Sequence, residues 1–184
     1  AILVGHDWGA MICWNVASLH ADRVLAVAAL SVPNSRRGKV SAIEMWRRLY
    51  RGKFFYQLYF QAEGVAEAEL EADVRTSLRK LYYAASGAAP SPDIWPERPA
   101  GRTLLEAQTD PLRFPTWLSP EELDYFTANF EASGFRGSIN CYRNQERDFE
   151  ILPEMGLRPV LQPSCFIAGS HGCGAPHCPR PRSL

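Results

Sequence analysis

Two hydrophobic patterns organise this 184-residue chain. The first is the short unbroken apolar run. Ala1-Ile2-Leu3-Val4 is one, and Val24–Val32, stopped by Pro33, is another. Runs of this length without polar alternation suit strands covered on both faces. Between them Met11, Ile12, Trp14, Val16 and Leu19 give a wide apolar face to a helix predicted over Ala10–His20. Strand, helix and strand of these lengths make a βαβ unit, hence a parallel sheet with a right-handed crossover. Val160–Gly169 predicts a third strand, with pairing that begins after Pro163 because proline cannot donate to a ladder.

The second pattern is amphipathic and fills residues 35–150, which are richer in charge and broken by proline and glycine. Ile43–Tyr50 reads as a basic, aromatic helix. Gly64–Ala85 reads as one long helix with Val65, Leu70, Val74, Leu78 and Leu81 near one side. Its acidic first half and basic second half suit the helix dipole and allow a Glu71–Arg75 pair at i,i+4. The proline-rich stretch Gly87–Gly101 is a loop. Ser119-Pro120-Glu121-Glu122 then opens a helix with a capping box, Leu123, Phe126 and Phe130 form its stripe, and Gly134 ends it. A short helix from about Ser138 carries Tyr142.

The expected organisation is α/β. Residues 1–34 and 151–169 supply parallel core strands, and residues 35–150 form an inserted helical cap. Residues 170–184, rich in Gly, Pro, His, Cys and Arg, are expected to be disordered. There is no internal repeat. In such sheets the site lies at the strand carboxyl ends, where the cap would face it.

Charge narrows the partners. Formal net charge is zero and the pI is about 7.1, so nothing points to nucleic acid or to an anionic membrane surface. No apolar run reaches the roughly 20 residues of a membrane-spanning helix. The chain begins inside a core strand, without Met or a signal-peptide pattern, which suggests a fragment or a lost start. Five cysteines at irregular spacing, Cys13, Cys141, Cys165, Cys173 and Cys178, favour reduced thiols in a cytoplasmic compartment. His171, Cys173, His177 and Cys178 have zinc-binding chemistry but no familiar spacing or scaffold, so no metal is expected there. No cofactor is implied.

The candidate chemistry lies at Gly5-His6-Asp7-Trp8-Gly9-Ala10. A buried strand ends, two glycines permit a strained turn, and a helix begins. This is the shape of a nucleophile elbow with a carboxylate at its tip. Asp7 can attack and form an ester with substrate; its alternative role is an ordinary N-cap. The backbone N–H of Trp8 is a candidate oxyanion donor, while its indole can line a pocket or simply pack. His6 is expected to pack or hydrogen-bond rather than act as the base.

With the cap insertion downstream, this is the plan of an α/β-hydrolase core. The elbow also resembles the nucleophile turn of the α/β-hydrolase epoxide hydrolases. Two further segments resemble theirs. One is Phe55-Tyr56-Gln57-Leu58-Tyr59-Phe60-Gln61 with Gly64–Leu70, and the other is Ser133-Gly134-Phe135-Arg136-Gly137 with Asn140-Cys141-Tyr142-Arg143-Asn144. The similarity spans residues 1 to about 169. It implies a small-molecule epoxide substrate and a diol product. Tyr56 and Tyr142 match the family's paired cap tyrosines, which donate to the epoxide oxygen as the aspartate attacks. A phenol suits that task, because its pKa near 10 keeps it protonated at neutral pH. Tyr59 is expected to be a bystander.

The sequence also departs from that family. Cys141 stands where relatives often carry a larger aromatic. The carboxylate and histidine that release the ester have no match in context, nor does a His-Gly-x-Pro oxyanion turn before the elbow. The expectation is no turnover, with at most one alkylation at Asp7. A haloalkane or haloacid dehalogenase of the same fold would use the same aspartate and an adjacent tryptophan, but a departing halide needs no proton from tyrosines. A non-catalytic truncated product or interaction module is the third reading.

Overall fold

A computed structural model describes residues 1–89, 98–111, 113 and 115–169. The expected tail 170–184, its His/Cys group and the middle of the Gly87–Gly101 loop lie outside the described residues. The described residues divide into two compact units, residues 40–150 and residues 1–39 with 151–169.

The first unit is a parallel three-stranded sheet, β1 (Ile2–His6), β2 (Ala26–Leu30) and β3 (Ser164–Ile167), in that order. Ile2 lies opposite Ala26 and His6 opposite Leu30, and Val27 pairs Ser164 on the other side. Pairing on β3 begins directly after Pro163, whose carbonyl accepts the Val27 N–H at 3.0 Å. β2 stops earlier than its apolar run, because Ser31 turns to a φ of 69° two residues before Pro33. Helix α1 (Trp8–Leu19) packs one face through Ala10, Cys13, Trp14 and Ala17 against Val24, Val27 and Ala29. The Trp14 indole N–H donates to the Val32 carbonyl at 3.1 Å, anchoring the helix to the end of β2.

Burial on both faces is not what β1 shows. Ile2 and Val4 are 67% and 71% exposed, while Leu3 packs under α1. Successive strand residues point to opposite faces, and α1 covers only one of them among the described residues.

The second unit is helical. It contains α2 (Ala42–Leu49), α3 (Tyr56–Tyr59), α4 (Val65–Glu71), α5 (Val74–Ala84), α6 (Pro120–Ser133) and α7 (Arg136–Arg143), and most of α8 (Gln145–Ile151). Its core joins Phe60, Leu70, Leu78, Leu104, Leu123 and Ile139. α6 has the expected ends. The Ser119 hydroxyl accepts the Glu122 N–H at 3.1 Å, the Glu122 carboxylate accepts the Ser119 N–H at 2.8 Å, and Gly134 closes the helix at a φ of 67°. Phe126 is only partly covered, against Tyr82. α7 starts at Arg136, two residues before Ser138.

The long helix expected over Gly64–Ala85 is two helices. Asp73 leaves helical geometry (φ −151°, ψ 90°), and its carboxylate accepts the Thr76 N–H at 3.0 Å, starting α5 afresh. Aspartate competes for backbone N–H groups better than it propagates a helix. The break also dissolves the expected Glu71–Arg75 pair. Glu71 instead accepts the Phe135 N–H at 2.9 Å, and Arg75 donates to Asp124 at 2.8 Å. These long-range bonds fasten α4 to the α6–α7 turn and α5 to α6.

Candidate active site

Asp7 sits at the junction of β1 and α1 with φ 53° and ψ −117°. A non-glycine residue rarely adopts such a backbone, which costs on the order of 1–3 kcal/mol and is found where the surroundings hold it. Here the Asp7 N–H donates to the Leu30 carbonyl at 3.1 Å, extending the β1–β2 ladder. Its carbonyl accepts the N–H of Ala10 at 3.0 Å and of Met11 at 3.3 Å, starting the helix. The chain reverses within one residue, and Asp7 is exposed.

Of the two flanking glycines, one is sterically required. A Cβ on Gly5 would lie 2.2 Å from the Gly9 carbonyl oxygen and 2.8 Å from the Ala10 nitrogen. One added on Gly9 meets nothing within 4 Å. The crossing of β1 by the start of α1 therefore depends on the bare backbone of Gly5.

The Asp7 carboxylate accepts the Trp8 N–H at 2.7 Å. An ordinary N-cap sits in extended backbone and bonds the second or third helical N–H. Asp7 does neither, since its φ is positive and its partner is the first helical residue. His6 ends β1 and is exposed.

The two tyrosines belong to the helical unit. Tyr56 opens α3 and Tyr142 lies in the last turn of α7. Folding brings their rings to a centroid distance of 5.7 Å, edge to face at 79°. Phe60 packs against both, 5.7 Å from Tyr56 and 5.0 Å from Tyr142. The Tyr56 hydroxyl oxygen accepts the Gln57 amide N–H at 2.9 Å, and Gln145 donates to the Gln57 amide oxygen at 3.1 Å. Tyr59 is committed elsewhere: its hydroxyl donates to Glu69 at 2.8 Å. Burial, then the bond to Glu69 and that carboxylate's charge, push its pKa well above the usual phenol value. Cys141, beside Tyr142, is an exposed free thiol.

Beside the tyrosines lies a nearly dry ion pair. Glu67 and Arg143 are each about 10% exposed, and Arg143 also donates to the carbonyls of Phe60 at 2.8 Å and Ala62 at 3.2 Å. Glu67 is held down to about 2, chiefly by the hydrogen bond from Arg143. Sequence reading singled out none of Gln57, Gln61, Arg143 or Gln145. The available signal was the amphipathic spacing of Gln57 and Gln61 at i,i+4; the partners across the fold left none.

Two open surface depressions, of about 420 and 350 Å³, contain none of the candidate residues; Tyr83, Asp110 and Arg113 line one, and Ser18, Asp22 and Arg158 the other. Among the described residues no group of three or more His, Cys, Asp or Glu could hold a metal ion. No helix among them is long and apolar enough to cross a membrane.

The sequence profile of the alpha/beta hydrolase fold matches residues 1–133. The chain belongs to the alpha/beta hydrolase family. Among its curated relatives within this family, Epoxide hydrolase A of Mycobacterium tuberculosis (strain ATCC 25618 / H37Rv) is 40% identical over 174 residues, covering 92% of this chain and 53% of the relative. Bifunctional epoxide hydrolase 2 of Rattus norvegicus is 35% identical, over 91% of this chain and 30% of the relative. The structure of an epoxide hydrolase from an endophytic Streptomyces superposes with a TM-score of 0.86 at 40% identity, over 92% of this chain and 52% of that one. This alpha/beta hydrolase chain thus spans between 30% and 58% of the length of these curated relatives.

Proposed function

We propose that this chain carries the ester-forming half of epoxide hydrolysis. One Asp7 oxygen attacks an epoxide carbon from the side opposite the ring oxygen. The carbon–oxygen bond breaks, its electron pair stays on oxygen, and the alkoxide takes a proton from Tyr56 or Tyr142. The products are a β-hydroxyalkyl ester on Asp7 and a tyrosinate that solvent reprotonates. The Trp8 N–H stabilises the carboxylate-derived oxygen. In the complete reaction water releases the ester as a vicinal diol. No cofactor takes part.

The observation that carries this reading is the tyrosine pair. A halide leaves without a proton, so dehalogenation gives two adjacent phenols nothing to do, whereas a ring-opened epoxide needs an acid that stays protonated at neutral pH. The strained elbow and the relatives named epoxide hydrolases agree with it.

Water attack on the ester needs an oriented base. The histidines among the described residues are His6, at the end of β1, and His20, at the end of α1, and neither lies in the context the family uses. The free thiols Cys13, Cys141 and Cys165 support a reducing, cytoplasmic setting.

The test is incubation with styrene oxide, followed by intact-mass and peptide mapping. The expected result is one epoxide adduct per chain on Asp7, absent from Asp7→Asn and formed more slowly by Tyr56→Phe and Tyr142→Phe. Adducts scattered over other nucleophiles, or equal labelling of Asp7→Asn, would overturn the assignment.

A further inference from the structure

We infer that Gln61 is a positioning residue that sets the spacing of the Tyr56–Tyr142 pair. The inference rests on the reading of those tyrosines as acids. Gln61 follows α3, and its amide nitrogen donates to two carbonyls at once, Gln57 at 2.8 Å and Tyr142 at 3.2 Å. Both partners are backbone oxygens, which only accept, so the nitrogen must occupy this position and the amide orientation is unambiguous. One carbonyl belongs to the short helix that Tyr56 opens. The other belongs to Tyr142 itself, in the last turn of α7.

The contact is reciprocated one residue away on each side, since Arg143 donates to the Phe60 carbonyl at 2.8 Å. Residues 60 and 61 and residues 142 and 143 thus form a two-way clasp. The roles within it differ. Arg143 is neutralised by Glu67 and anchors α7 to the start of α4. Gln61 bonds directly to the backbone of Tyr142 and to that of the residue after Tyr56. A segment as short as α3, four residues, cannot hold its own geometry in water. The direction in which Tyr56 projects toward Tyr142 therefore depends on what its backbone is tied to.

The test compares the wild-type chain with Gln61→Met and Gln61→Glu. Methionine keeps the length and removes both hydrogen bonds. Glutamate, when ionised, sets a carboxylate against two carbonyl oxygens; when protonated, it regains one donor. The direct readout is the nuclear Overhauser effect between the Tyr56 and Tyr142 ring protons. The functional readout is the rate of Asp7 labelling by styrene oxide. Gln61→Met is expected to keep the wild-type far-UV circular dichroism, to lose most of the ring–ring effect, and to label roughly 10- to 100-fold more slowly, as a displaced acid should. For Gln61→Glu, the ratio of its rate and ring–ring effect to wild type is expected to rise as pH falls from about 7 to about 5, where the carboxyl begins to protonate.

An intact ring–ring effect with a wild-type rate in folded Gln61→Met would overturn the inference. So would a Gln61→Glu ratio that does not change with pH, the arm that decides if Gln61→Met fails to fold. If the wild-type chain is never labelled, the epoxide reading falls, and the ring–ring effect still decides the clasp.

Discussion

Glu67→Gln tests the ion pair behind the tyrosines. The substitution keeps size and shape, removes one charge, and leaves Arg143, about 10% exposed, with only the field of Glu63 and neutral acceptors to offset its charge. In the folded chain Glu67 falls from an ordinary 4.5 to about 2. At about 1.4 kcal/mol for each tenfold change in proton affinity, the carboxylate's interactions in the fold, the Arg143 hydrogen bond first and backbone N–H groups with it, contribute about 3 kcal/mol at neutral pH. That is the low end of the roughly 3–5 kcal/mol typical when one partner of a buried pair is removed. The low end is expected, because glutamine still accepts from Arg143 and the carbonyls of Phe60 and Ala62 still bind it. For a unit of this size the loss corresponds to a thermal midpoint lower by ~10 °C.

The pH dependence gives the sharper check. Because the folded-state value is depressed, the contribution is complete above about pH 4.5 and is lost as pH falls through about 2. Below that point the protonated wild-type carboxyl and the variant amide are near equivalents. The gap between the two melting curves, followed by circular dichroism, should therefore be constant at neutral pH and close in acid. A gap under about 2 °C at pH 7 would refute the argument, as would one that stays constant down to pH 2.

Two further predictions concern the elbow. Gly5→Ala drives a Cβ into the Gly9 carbonyl and should cost at least ~3 kcal/mol in urea denaturation. Gly9→Ala meets open space in α1 and should be neutral or stabilising by up to ~1 kcal/mol; similar losses for both would contradict the assigned crossing. Asp7→Gly and Asp7→Ala both delete the carboxylate, but only glycine accepts the positive φ without strain. Asp7→Gly should therefore be the more stable by about 1–2 kcal/mol in the same assay, and equal midpoints would show that the backbone is relaxed.

The elbow was legible because its determinants are local. An apolar run, a glycine pair and a helical stripe are neighbours in sequence, and strand, turn and helix follow from them. The capping box of α6 and the start of β3 after Pro163 were legible for the same reason, since a cap or a missing N–H acts within a few residues. The break at Asp73 was not legible. Apolar periodicity continues through it, and the competition between capping and propagation is settled by where Glu71 and Arg75 find partners, at Phe135 and Asp124. The exposed face of β1 was likewise hidden, because an apolar run does not record how many layers cover it.

The tyrosines divide the same way. Motif likeness singled out Tyr56 and Tyr142, but nothing in their spacing says that the rings meet at 5.7 Å or that Gln61 spans their backbones. By itself the sequence determined the turn that carries Asp7, because steric rules and hydrogen bonds act over a few residues. Only the tertiary structure decided the pairing of the phenols, the Glu67–Arg143 lock and the Gln61 clasp. Those contacts join segments about 80 residues apart, and packing alone selects such partners.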